Sequence, residues 1–151
     1  MITCEGVTCM QIQIIAENER LIPYYQHLGD AGADLVAKEA VKIWPGEIKR
    51  IPTGIRLAIP EGLVGLIMPR SGLASRGLIV IPGTIDSGYR GEVKVVMYYV
   101  SEEGRPYTIS AGDRIAQLEI IPVVQAEFQC VNELPPGQRG EKGFGSTGVA
   151  Q

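Results

Sequence analysis

The stretch LIVIPGTIDSGYRGEVKVVMYYV, Leu78 to Val100, decides the fold. Two β-branched runs, LIVI and EVKVVMYYV, enclose a segment of Pro, Gly, Asp and Ser. Branched and aromatic side chains stand well on a pleated surface and lose rotamer freedom on a helix, so short runs of them bounded by Gly and Pro read as strands. The polar segment between them supplies the turn. The same pattern continues outward in both directions: MQIQII, GADLVA, VKIWPG, GIRLAIP and LVGLIMP come before it, and RIAQLEIIPVV after it. With 19 Gly and 10 Pro the turns are frequent, as in a sandwich, barrel or jelly roll. One short helix is predicted over RSGLASRG, residues 70–77, with Ser71 as its N-cap.

A chain of 151 residues makes one domain with a real core, burying about 68–70% of its unfolded surface. The strand pattern lapses near Asn132, where NELPPGQRGEKGFGSTGVAQ begins. The expected organisation is therefore a β-barrel domain over residues 1–131 and a mobile C-terminal arm over 132–151. A net charge of −3 argues against nucleic acid as the main partner, since a phosphate backbone calls for a basic face. No run reaches the length of a membrane span, and the first residues lack the basic start and apolar stretch of a signal peptide. Three Cys, at 4, 9 and 130, do not complete a zinc site. A soluble protein in the cytoplasm or another reduced compartment is the expectation.

The single His, His27, removes Ser-His-Asp and Cys-His schemes. GFGSTG, Gly143 to Gly148, fits the spacing G-x-G-x-x-G, but that fingerprint needs a strand before it and a helix after it. The Walker A spacing fails too, because Lys142 precedes Gly143. Polar, glycine-rich clusters instead recur at strand ends: DAGADL (30–35), PRSGLASRG (69–77), PGTIDSGYRGEV (82–93), GDRIAQLEI (112–120) and RGEKGFGSTG (139–148). Each alone is ordinary turn chemistry.

Together and in this order, the five stretches resemble the five motifs of the homotrimeric dUTPase (dUTP pyrophosphatase) family. The resemblance implies an all-β, distorted jelly-roll barrel with one short helix and a flexible C-terminal arm. It also implies three active sites between three subunits, and Mg²⁺-dependent hydrolysis of dUTP to dUMP and pyrophosphate. That reaction keeps uracil out of DNA and supplies dUMP for thymidylate synthesis.

The residues suit such chemistry. Attack of water on the α-phosphorus needs a base, donors and cations along the phosphates, and a pocket that selects base and sugar. Asp86 is the expected water-positioning base. By resemblance Tyr89 packs under the deoxyribose and leaves no room for a 2′-hydroxyl. Uracil is read by backbone groups of a tight hairpin that includes Gly83, Thr84, Ile85 and Lys94. Arg70, Ser71 and Gly72 hold phosphate from a neighbouring subunit, with Ser71 near the scissile bond, and Gln117 contacts phosphate oxygens. Asp34 is implied to hold Mg²⁺ only through water. Arg139, Phe144, Gly145, Ser146 and Thr147 of the arm close over the nucleotide, with Phe144 stacked on uracil. Asp113 and Arg114 are assigned to a turn and an ion pair.

Two departures stand out: Ala33 where many relatives carry an aromatic, and a segment before Pro82-Gly83 two residues shorter than in members with an Asn-Ser pair. In the short form a backbone carbonyl near Ile81 stands in for the Asn. The rival readings are a dCTP deaminase-like relative and a non-catalytic, nucleotide-sensing β-barrel interaction module. The full GTIDSGYRGEV and GFGSTG favour the pyrophosphatase over the deaminase, and the intact Asp86, Arg70 and Arg139 set speaks against a dead site.

Overall fold

A computed structural model describes residues 10–138, 140 and 141. Among them the chain forms eleven antiparallel strands: β1 (Gln13–Ala16), β2 (Ala33–Val36), β3 (Val41–Ile43), β4 (Ile48–Pro52), β5 (Ile55–Ala58), β6 (Leu63–Met68), β7 (Leu78–Ile81), β8 (Gly83–Ile85), β9 (Lys94–Tyr99), β10 (Tyr107–Ile109) and β11 (Arg114–Pro122). A 3-10 turn covers Glu19–Leu21, and the one α-helix among the described residues, α1, covers Ser71–Ala74. The strands build four small sheets, ordered β1-β5, β10-β3, β2-β11-β6-β8 and β4-β9-β7. No helix among the described residues is long and apolar enough to cross a membrane.

The sheets enclose one core. Leu35, Ile43, Ile51, Ile55, Leu78, Met97, Ile109 and Ile115 are fully buried and come from β2, β3, β4, β5, β7, β9, β10 and β11. Each such side chain contributes on the order of 1.5–3 kcal/mol when taken out of water, so no single sheet stands alone. Strict alternation in β9, with Val95, Met97 and Tyr99 inward and Lys94, Val96 and Tyr98 outward, gives the sheet its two faces. Gly65 on β6 permits close packing, because a Cβ there would lie 2.8 Å from Ile59 Cδ1 and 3.1 Å from Leu118 Cδ1.

Three local expectations change. α1 starts after Arg70, whose extended backbone makes it the N-cap with no side-chain bond, so Ser71 is the first helical residue and not the cap. The two runs that enclose Asp86 do pair antiparallel, β7 with β9 from Leu78↔Tyr99 to Ile81↔Val96, but the connection is not a tight hairpin, because Gly83–Ile85 leave it as β8 and pair β6 in another sheet. Pro82, which has no N–H to continue the β7–β9 ladder beyond Ile81↔Val96, marks the crossover. Third, β11 ends at Pro122, and after Val123 N–H donates to Gly62 O at 2.9 Å no strand or helix follows among the described residues. Val124, Phe128, Val131 and Leu134 lie exposed beyond that point.

Candidate active site

The phosphate-type residues gather at one end of the four-stranded sheet. Gln117 on β11 lies between Asp34 on β2 and Met68 at the end of β6. Gly32 lets β11 approach, since a Cβ there would sit 2.8 Å from Gln117 Cβ. Asp34 is only 3% exposed, and such a buried carboxylate needs partners. Its backbone N–H donates to Tyr24 O at 2.8 Å. Its carboxylate lies between two guanidiniums: Arg70 Nε is 3.1 Å from Oδ1 and Arg114 Nη1 is 3.4 Å from Oδ2. Arg70 Nη1 also donates to Arg114 O at 3.0 Å, and Arg114 Nη1 to Gln26 Oε1 at 3.0 Å. Arg70 is thus held by a charge and a carbonyl on two different strands.

A β-bulge aims this cluster. The register of β11 against β2 shifts between Arg114 and Ala116, and the consecutive residues Ile115 and Ala116 both point into the core. The extra residue re-aims the strand locally and leaves Arg114 facing Asp34. Asp113 accepts from Ser110 N–H at 2.7 Å, so the turn and the ion pair expected of Asp113 and Arg114 are both present. Gln26 is a partner that sequence reasoning missed, since nothing in QHLGD distinguishes it from turn chemistry. Asp34→Ala would leave two guanidiniums facing each other. Breaking a buried pair costs about 3–5 kcal/mol, and the Arg side chains here are 25% and 40% exposed. After screening we expect a loss of about 1–3 kcal/mol, read as a lower urea midpoint. An unchanged midpoint would mean that Asp34 does not neutralise the pair.

Asp86 sits at the opposite end of the same sheet. β8 ends at Ile85, paired with Gly65 near the start of β6, and Asp86 follows exposed. Asp86 O accepts from Tyr89 N–H at 3.0 Å, closing the turn. Thr84 is exposed and Gly83 half-buried. Where the chain crosses between sheets it forks: Gly83–Ile85 pair only with β6, and Lys94 and Val95 pair only with β4. No other strand among the described residues pairs with those two stretches, so each carries a row of free backbone donors and acceptors. Tyr89, 45% exposed, donates its hydroxyl to Glu92 O at 3.0 Å. Lys94 Nζ lies 3.6 Å from Glu92 Oε2.

One chain therefore brings Asp34, Arg70 and Gln117 together, beside Ser71 and Gly72 at the start of α1, while β8 runs back along β6 from Gly83, opposite Ile67 and near that cluster, to Ile85, opposite Gly65, and so leaves Asp86 at the far end. Arg139, Phe144, Gly145, Ser146 and Thr147 lie outside the described residues. No group of three His, Cys, Asp or Glu comes together among the described residues. Asp34 Oδ1, although close to Arg70, has no hydrogen-bond donor and is the orphaned acceptor of the cluster. A phosphate-bound Mg²⁺ that keeps its waters fits such an oxygen, through a water.

The dUTPase family model matches residues 18–148. The chain is 49% identical over 142 residues to a deoxyuridine 5′-triphosphate nucleotidohydrolase of Leifsonia xyli, covering 92% of this chain and 91% of the relative. It is 52% identical over 130 residues to that of Thermobifida fusca, covering 84% and 72%. Among solved structures, a Staphylococcus bacteriophage 80alpha dUTPase variant with dUpNHpp superposes with a TM-score of 0.82 at 33% identity, covering 92% of this chain and 99% of that one. A dUTPase variant from phage phi11 of S. aureus, described with a structural Mg(II) ion, gives 0.74 at 31% identity over 82% and 98%. Matched by the family model over residues 18–148, and 49% identical to a curated relative over 92% of its own length, the chain belongs to the dUTPase family.

Proposed function

We propose that the chain hydrolyses dUTP to dUMP and pyrophosphate as a homotrimer, in the cytoplasm, with each active site shared between subunits. The observation that carries the shared site is the length of β6. Its 6 residues separate the Arg70 end from the Asp86 end, about 20 Å at ~3.3 Å per residue. A general base must lie within about 2.6–3.2 Å of the proton it takes, so Asp86 and Ser71 of one chain do not serve the same phosphorus. A neighbouring copy supplies the complementary end. The exposed Val124, Phe128, Val131 and Leu134 support a partner chain lying against the segment after β11.

In this reading Asp86 orients a water and accepts its proton as the oxygen bonds to the α-phosphorus, and the bond to the bridging oxygen of pyrophosphate breaks. Arg70 and Gln117 contact the phosphate oxygens, with Ser71 beside the scissile bond. Gly72, around which a Cβ would meet nothing within 4 Å, leaves room for the nucleotide. Asp34 and Arg114 keep Arg70 in place. Bound Mg²⁺ would neutralise triphosphate charge, with Asp34 Oδ1 accepting from one of its waters. The free backbone groups of Gly83, Thr84, Ile85 and Lys94 read the uracil edge, where cytosine presents the reverse pattern; such a mismatch strands unpaired groups and is rejected by up to about 10⁴–10⁵-fold. Tyr89 fills the space of a 2′-hydroxyl. Residues 132–151 form the arm that brings Arg139, Phe144, Gly145, Ser146 and Thr147 to the nucleotide.

Pyrophosphate release from dUTP, dTTP, dCTP and UTP with Mg²⁺ tests the activity. Turnover of dUTP far above the rest is expected; turnover of none of them overturns the reading, and ammonia released from dCTP would point to a deaminase. Subunit sharing has its own test. Mixing inactive Ser71→Ala subunits with inactive Asp86→Asn subunits is expected to restore activity at sites that draw both wild-type residues, while a mixture as inactive as its parents would place both residues in one chain's site.

A further inference from the structure

Gly91 has no backbone reason to be glycine. The glycines of this chain that require the left-handed region include Gly29, Gly54 and Gly77, and Gly91 is not among them. Its constraint is steric and comes from one side chain. A Cβ on residue 91 would lie 2.6 Å from Cζ and 3.0 Å from Cε2 of Tyr89, and closer still to its hydroxyl. Carbon atoms in contact need about 3.5–4.0 Å. The far half of the Tyr89 ring therefore rests on the bare backbone of Gly91.

The platform under the ring is stiff. Glu92 O accepts the Tyr89 hydroxyl at 3.0 Å. The next contacts fix the same segment to the β4–β5 turn: Gly54 N–H donates to Glu92 Oε1 at 3.1 Å, Val93 N–H to Ile55 O at 2.9 Å, and the buried Thr53 hydroxyl to Val93 O at 2.6 Å. Tyr89 is 45% exposed, and its ring is the outer part of a side chain that can turn toward solvent. Any Cβ at position 91 therefore moves the ring and not the backbone.

We infer that Gly91 is a specificity-determining positioning residue, whose missing side chain seats Tyr89 where the ring discriminates deoxyribose from ribose. The inference rests on the role proposed above for Tyr89. It assigns the sugar selection to a pair of residues, a ring and the flat seat beneath it, with Glu92 O as the latch.

The test is the ratio of kcat/KM for dUTP to that for UTP, measured with Mg²⁺ on the full-length chain for wild type, Gly91→Ala, Tyr89→Ala and the double variant. Gly91→Ala is expected to lower the ratio by about tenfold or more, the worth of a displaced packing group, and to add nothing in the Tyr89→Ala background. A ratio unchanged by Gly91→Ala overturns the inference, as does an equal fall in both backgrounds. A ratio unchanged by Tyr89→Ala instead overturns the role given to Tyr89, a separate failure. Should Gly91→Ala alone not fold, the double variant decides: folded protein supports the seat, because truncation removes the obstructing atoms, and a double variant equally unfolded overturns it.

Discussion

Asp86→Asn is expected to slow dUTP turnover by about 10²–10⁴-fold, the range for a positioned general base, with the fold and nucleotide affinity kept. The turn that carries Asp86 is closed by its backbone, through Tyr89 N–H to Asp86 O at 3.0 Å. Its carboxylate is exposed and makes no hydrogen bond within the described residues. Replacing one oxygen by an amide nitrogen therefore leaves the turn intact while removing a proton acceptor. Single-turnover rates on saturating dUTP separate the chemical step from binding. A variant that keeps close to the wild-type kcat would show that some other group positions the water.

Deleting residues 138–151 is expected to leave assembly and melting temperature nearly unchanged and to cut kcat by orders of magnitude. Among the described residues the last backbone tether to the sheets is at Val123, and the three of them that the deletion removes, 138, 140 and 141, belong to no strand and are exposed. What it takes is Arg139, Phe144, Gly145, Ser146 and Thr147, a charge, a ring and several hydroxyl and N–H donors suited to base and phosphates. Glycines at 143, 145 and 148 let a backbone approach phosphate closely. Ordering a segment costs about 1–2 kcal/mol per backbone residue, so closure should require base and triphosphate together, and it would strengthen each charge contact by shedding water. A truncated protein with full dUTP turnover would reduce the segment to a tail.

Much of the fold was legible because strand chemistry is local. GADLVA, LVGLIMP, LIVI, KVVMYY and RIAQLEIIP are branched, aromatic or alternating runs, and each appears as a strand. β4 escaped because EIKRIP mixes charges and a proline that face outward at the margin of its sheet, and β10 because three residues of YTI give too short a period. The extra strand β8 inside the β7–β9 connection was missed for the same reason. PGTIDSGYRG reads as one turn segment, because three residues of GTI give too short a period to mark a strand, and after Pro82 those residues leave the β7–β9 ladder to pair β6. At the site, Asp34, Arg70 and Gln117 were legible as motif residues. Their convergence with Gln26 and Arg114 was not, because Gln26 and Arg114 stand 88 positions apart and meet only through a bulge that has no sequence mark.

That bulge sets how the chain can vary. Side chains along β11 can be exchanged one at a time, each change felt where it occurs. Length is another matter: the extra residue between Arg114 and Ala116 breaks the register of the strand, and a loss from the regular stretch beyond it turns every side chain on one side of the loss to the opposite face. Losing Ile115 would heal the ladder with Arg114 still opposite Val36, but it would remove a fully buried core side chain and the local bend that the bulge gives the strand beside Asp34. Across descent, β11 should accept many substitutions and almost no single-residue insertions or deletions, so that the spacing between Arg114 and Gln117 outlasts the identity of the residues between them.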